Sequence, residues 1–178
     1  MSSSGIVTAE VPATKMSWET AAKDVREAID KAIPQKWKLQ GTLKIESRDV
    51  RDIPRTCGLL SSEELHITEQ TATDLVKKLA SGELSSSQVV EAFCARAAVA
   101  HQLVSSILPF TLFLETCAHL FSCKVNCLTA FFPEEALQRA AELDEHLRRV
   151  GKPVGPLHGL PVAIKVRFDS ASSYIASC

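Results

Sequence analysis

The sequence predicts an α/β fold, and two kinds of segment carry that expectation. Amphipathic runs preceded by helix caps recur through residues 17–103 and 133–150, and two compact apolar runs, Cys127–Phe132 and Pro161–Ile164, read as strands. Their order toward the end of the chain is helix, strand, helix, strand, which is the alternation of an α/β layer.

Each element has a local reason. Residues 1–16 are small and polar with no period, so they read as a flexible leader. Ser17 is placed to cap a helix whose Trp18, Ala22, Val25, Ala28 and Ile29 share one face, and Pro34 ends or bends it. Trp37 and the run Arg48–Arg55 form an extended or irregular passage. The alternating signs of Arg48, Asp49, Arg51, Asp52 and Arg55 suit a solvated face better than an anion site.

Ser61 and Glu64 have the spacing of a capping box, in which a hydroxyl and a carboxylate each satisfy the other residue's backbone N–H. Thr68 is placed to cap a run in which Ala72, Leu75, Val76 and Leu79 share a face, stopped near Gly82. Ser85 and Gln88 repeat the box ahead of Val89, Phe93, Ala97 and Ala100. Pro133 suits the first turn of the next helix, whose Ala136, Ala140, Leu143 and Leu147 make a stripe ending at Gly151. A turn-rich run, Gly151–Gly159, then leads into Pro161–Ile164, a strand candidate that would deliver Lys165 at its end.

Composition excludes several function classes. The 178 residues carry 20 Lys and Arg against 21 Asp and Glu, so no excess of positive charge points to nucleic acid or an anionic membrane. Six cysteines (Cys57, Cys94, Cys117, Cys123, Cys127 and Cys178) are spread over a length that needs no disulfide staples. No signal peptide precedes them, so a reducing, cytoplasmic setting is expected. The spacing of Cys117, Cys123 and Cys127 lacks the paired pattern of a structural zinc site, and His119 does not supply it, so no metal is expected. Gly151, Gly155 and Gly159 lack the spacing of a phosphate loop, and no nucleotide or other cofactor is expected.

One segment is more specific than any of these patterns. Gly155-Pro156-Leu157-His158-Gly159-Leu160-Pro161-Val162-Ala163-Ile164-Lys165 resembles the lysine-bearing motif of the amidase-signature family. Asp52-Ile53-Pro54-Arg55-Thr56-Cys57-Gly58-Leu59-Leu60 and the Trp18 helix, with Pro34 and Trp37, are similar to the N-terminal region of fungal acetamidase-like and general amidases. The resemblance covers about Trp18–Leu103 and Asn126–Lys165. It implies one incomplete amidase domain over residues 17–165, holding the N-terminal helices and first strands of a mixed sheet enclosed by helices.

By that resemblance the chemistry is hydrolysis of a small-molecule carboxamide to carboxylate and ammonia through a serine nucleophile, a second serine at a cis peptide and a lysine. Lys165 is then the catalytic lysine. Its role requires a neutral amine for part of the time, against an ordinary lysine pKa of about 10.4, so burial or nearby positive charge must favour the neutral form. His158 and Gly159 are expected to be structural or to line the site. No cofactor, metal or nucleic-acid partner is implied.

Two departures from the family pattern stand out. Residues 104–124 form an atypical apolar segment containing Ile107, Leu108, Phe110, Leu112, Phe113, Leu114, Leu120 and Phe121, broken by Pro109, Glu115 and His119. Its uninterrupted apolar run falls far short of the roughly 20 residues that span a bilayer, so no stable membrane insertion is expected. Removing it joins Leu103 to Val125 as a smooth helix-to-strand passage, which fits a translated noncoding insertion that keeps the reading frame. The expected result of sequencing the mature transcript is a main spliced product without the segment; its consistent presence there would refute this origin.

The second departure is the tail, residues 166–178, which follows Lys165 with Val166-Arg167-Phe168-Asp169. Ser170, Ser172 and Ser173 lack the glycine-rich frame and two-serine spacing of the family, so no nucleophile is assigned in this chain and the 178 residues alone are expected to be inactive. The competing function class is a noncatalytic structural or interaction protein that uses the apolar segment as a contact surface.

Overall fold

A computed structural model describes residues 17–39, 51–106 and 128–164. Among them the regular elements are α1 (Trp18–Ala32), a 3-10 turn (Gln35–Trp37), α2 (Ile53–Thr56), α3 (Ser62–Glu69), α4 (Ala72–Ser81), α5 (Ser86–Ser106) and α6 (Pro133–Val150).

The expected α/β fold is corrected here: every regular element among the described residues is helical, and those residues form no strand or sheet. Residues 128–132 and 161–164 carry apolar side chains but have no ladder partner. Leu128 and Phe131 pack on a helical core cluster, whereas Val162 and Ile164 are 54% and 56% exposed. An apolar run becomes a strand only by pairing its backbone with a neighbour, and a pattern read along the chain does not reveal whether the neighbour is there.

The caps explain most of the helix boundaries. Ser17 Oγ accepts from Thr20 N–H, and the Ile33 N–H closes α1 on Ile29 just ahead of Pro34. Ser61 and Glu64 form the full capping box at α3, with bonds of 3.1 and 2.7 Å. Ser85 and Gln88 form the corresponding reciprocal pair at α5. Gly82 and Gly151 end α4 and α6 at φ +74° and +70°, a left-handed conformation that costs an L side chain about 1–2 kcal/mol.

Two local expectations change. Thr71, rather than Thr68, caps α4; Thr68 lies inside α3, where its hydroxyl donates to Leu65 O and accepts from Arg96. Part of the Arg48–Arg55 passage, expected to be irregular, forms α2, while Arg48, Asp49 and Val50 lie outside the described residues. The solvated-face reading holds for Arg55, which forms an exposed ion pair with Glu69.

α5 is the central helix and packs against both α3 and α6. Its Val89, Ala92, Ala95, Ala98 and Val99 are fully buried, and small side chains at three of those five positions let neighbouring elements approach closely. The expected stripe was too narrow: Phe93, Ala97 and Ala100 are only half-buried, because a helix covered on two sides has no single apolar face.

One core cluster joins Ile29, Ile33 and Trp37 to Leu60, Ala95, Val99 and Leu103; a second joins Ile67, Leu75 and Leu79 to Val89 and Ala92. The Gln102 side chain fixes the passage after the 3-10 turn, accepting from Leu39 N–H at 2.9 Å and donating to Trp37 O at 2.7 Å. α5 continues through Ser106, so the first three residues of the apolar segment extend this helix; residues 107–127 lie outside the described part.

Candidate functional site

The motif that sequence analysis singles out begins in the loop after α6. Gly151 ends that helix, and residues 154–160 fold back over α5 in two short turns, closed by His158 N–H to Gly155 O at 3.2 Å and Leu160 N–H to Leu157 O at 3.1 Å. Residues 161–164 then run outward with Val162, Ala163 and Ile164 exposed. Lys165, the expected catalytic lysine, lies outside the described residues, as do Ser170, Ser172 and Ser173 and the cysteines at 117, 123, 127 and 178.

His158 is the buried pivot of the loop. Its Nδ1 accepts from Val154 N–H at 3.2 Å, so the neutral ring carries its proton on Nε2. That Nε2 is buried and has no hydrogen-bond partner. Burial holds the His158 pKa below its ordinary 6.5, assisted by the positive charge of Arg139 and by His146, and opposed by Asp144.

The sign of the pH effect follows. Below 6.5 the unfolded histidine takes up a proton that the folded one resists, so the stability His158 contributes is present above 6.5 and is lost as pH falls toward the folded value. The urea midpoint is therefore expected to drop more between about pH 7 and pH 5 in the natural chain than in His158→Asn, whose amide oxygen can still accept from Val154. Equal drops in the two would remove His158 as the cause.

Gly159 is the point of closest approach. Its φ is +72°, and a Cβ built there would lie 2.2 Å from Ser86 Oγ, 2.8 Å from Ser86 Cβ and 3.2 Å from Leu79 Cδ2. No side chain fits in that space. The chain thus lays residue 159 directly on the first turn of α5 and the last turn of α4, and Leu160 packs on the second core cluster.

Sequence reasoning missed the group that fixes this first turn. The Asp144 carboxylate, from α6, accepts from Ser86 N–H at 2.6 Å, Ser87 N–H at 3.0 Å and Ser87 Oγ–H at 2.6 Å. These backbone donors have no partner inside the helix, and a negative charge is favoured there by the helix dipole. Burial alone would raise the Asp144 pKa, but the bonds from Ser87 and Ser86 outweigh it and hold the pKa below 3.8. The available signal was Ser86-Ser87 at a helix start, which the Ser85–Gln88 box obscured.

A cavity of about 460 Å³ lies between the loop and α6, walled by Val90, Ala140, Leu143 and Leu160 with Arg139 and His158 at its sides. The arrangement is an apolar seat with the loop across it, and Lys165 follows that loop in the sequence.

The family model described as Amidase matches residues 112–172, which include His158, Gly159 and Lys165. The chain is 46% identical to an acetamidase of Emericella nidulans over 165 residues, covering 90% of this chain and 26% of the relative. It is 44% identical to an acetamidase of Aspergillus oryzae over 149 residues, 84% of this chain and 23% of the relative. Among solved structures it is similar to a fatty acid amide hydrolase with a TM-score of 0.62 and 32% identity, over 80% of this chain and 22% of that one. The chain thus spans about a quarter of the length of the relatives it matches.

Proposed function

Because this chain belongs to the amidase family, we propose that its residues supply the lysine end of a site that hydrolyses a small carboxamide to carboxylate and ammonia, with Lys165 as the proton-accepting group. The observation that carries the reading is the seating of residues 154–160: a buried His158 and a Gly159 with no room for a side chain fix the loop six positions ahead of Lys165.

In this reading a neutral Lys165 takes the proton that leaves the serine nucleophile, by way of the bridging serine. It returns that proton to the departing nitrogen as the acyl–enzyme forms, and water then releases the carboxylate. Residues 1–178 hold no serine in the family's two-serine pattern, so by this proposal they have no amidase activity alone. Donors for the oxyanion have no assigned counterpart here either, and they supply a large part of the acceleration in acyl transfer. The chemistry as proposed uses no cofactor or metal ion. Among the described residues no helix is long and apolar enough to cross a membrane.

The test is kinetic. A full-length amidase chain carrying these residues is expected to release ammonia from a small aliphatic amide. His158→Ala in that chain should lower kcat by less than Lys165→Ala does, because His158 holds the loop and the lysine moves the proton. Absence of amide hydrolysis from a folded full-length chain would refute the proposal, and an equal loss for the two variants would give His158 a direct part in the chemistry.

A further inference from the structure

We infer that residues 154–160 are a pH-sensitive strap, which protonation of His158 at Nδ1 lifts from α4, α5 and α6 while those helices stay joined. The device is independent of the chemistry proposed for Lys165.

The bonding of the strap makes its release local. Among the described residues its hydrogen bonds run only within residues 154–160: Val154 N–H to His158 Nδ1 at 3.2 Å, His158 N–H to Gly155 O at 3.2 Å and Leu160 N–H to Leu157 O at 3.1 Å. It is held on the helices by packing instead, through the close approach of Gly159 to Ser86 and Leu79 and through Leu160 on the second core cluster. Val154 and Leu157 are already 56% and 62% exposed, so lifting them costs little burial. The helices have a tie of their own: the Asp144 carboxylate on α6 accepts from Ser86 and Ser87 at the start of α5. Release of the strap therefore uncovers the apolar seat of Val90, Ala140 and Leu143 without breaking the bonds that join α5 to α6.

The trigger is one ring nitrogen. Nδ1 accepts from Val154 N–H, and a proton placed there turns the acceptor into a donor facing a donor. The resulting cation would also be buried, since His158 is 5% exposed and its Nε2 has no partner. The charged and titratable groups that act on it come from α6: Asp144 favours the cation, whereas His146 and Arg139 oppose it. Asp144 is already engaged by the donors of Ser86 and Ser87. α4 and α5 meet the strap with Leu79, Ser86 and Val90, none of which titrates. In the lifted strap the ring is solvated and takes its proton without these penalties. The closed strap thus keeps its full stability above 6.5 and loses it as pH falls toward the closed-state pKa, which burial holds lower.

Amide hydrogen exchange in the 178-residue chain tests this, with protection expressed at each pH relative to an unstructured peptide. The Val154, His158 and Leu160 amides should be at least about 10-fold less protected than the Val99 amide inside α5, and insensitive to urea below the unfolding transition, as local opening requires. Between about pH 7.5 and 5.5 their protection should fall by up to about 10-fold, the ceiling for a group of pKa 6.5 that titrates only when released. In His158→Asn, whose amide oxygen accepts from Val154 at either pH, that fall should vanish.

Strap amides with the protection and urea dependence of Val99 would mean release only on global unfolding and would overturn the inference. So would an undiminished fall in His158→Asn. If that variant does not fold, the natural chain decides by NMR: the fall should level off at the pH where the His158 ring titrates, below 6.5. A ring midpoint at or above 6.5 overturns the strap as a pH device.

Discussion

Lys165→Ala, in a full-length amidase chain carrying these residues, is expected to lower kcat by about 10²- to 10⁴-fold while the fold persists, the range for losing a positioned general acid–base group. If lysine and serines act as one unit, the loss will exceed what a lone proton-transfer group contributes, because the members of a coupled set are not additive. Amide hydrolysis at the natural rate by the folded variant would end the assignment.

The largest expected effect on stability belongs to Gly159→Ala. The added methyl must sit at φ +72° and within 2.2 Å of Ser86 Oγ, and the 2.8 Å approach to Ser86 Cβ is to an atom anchored in a helix. Left-handed strain of about 1–2 kcal/mol and overpacking of about 1–3 kcal/mol together predict a loss of about 2–5 kcal/mol. That is a large share of the roughly 5–15 kcal/mol by which an ordinary domain is stable. Urea denaturation checks it. Adding Ser86→Gly should recover the steric part and leave the backbone part, so partial rescue is expected; no loss in the single variant would mean that residue 159 does not rest on α5.

Helix ends were legible in the sequence because their chemistry is local. Ser17, the Ser61–Glu64 and Ser85–Gln88 boxes, Gly82 and Gly151 each act within a few residues, so spacing alone locates them. Thr68 was misplaced for the complementary reason. A hydroxyl one turn early satisfies the same pattern, and only the contact with Arg96, 28 positions away, shows that it belongs inside α3.

The strands failed at longer range. Cys127–Phe132 and Pro161–Ile164 have the content of buried strands, yet content does not supply a partner backbone, and the described part of each has no regular structure. The same limit hid Asp144. On α6 it reads as one more polar position between Leu143 and Glu145, and its role appears only when the fold brings it to Ser86 and Ser87. The motif from Gly155 to Lys165 was recognised by its resemblance to a family. Its physical basis, a glycine pressed against a serine and a histidine closing the turn, is not written in periodicity or composition.

The central claim is that residues 1–178 carry the lysine arm of an amidase and not its full chemistry. Purified residues 1–178 should be compared with an amidase chain continued beyond residue 178 and lacking residues 104–124, each assayed for ammonia release from a small aliphatic amide and an aromatic amide. The predicted result is release by the continued chain, lost in Lys165→Ala, and none by residues 1–178. Release by residues 1–178 at a rate comparable to the continued chain, and abolished by Lys165→Ala, would contradict the account.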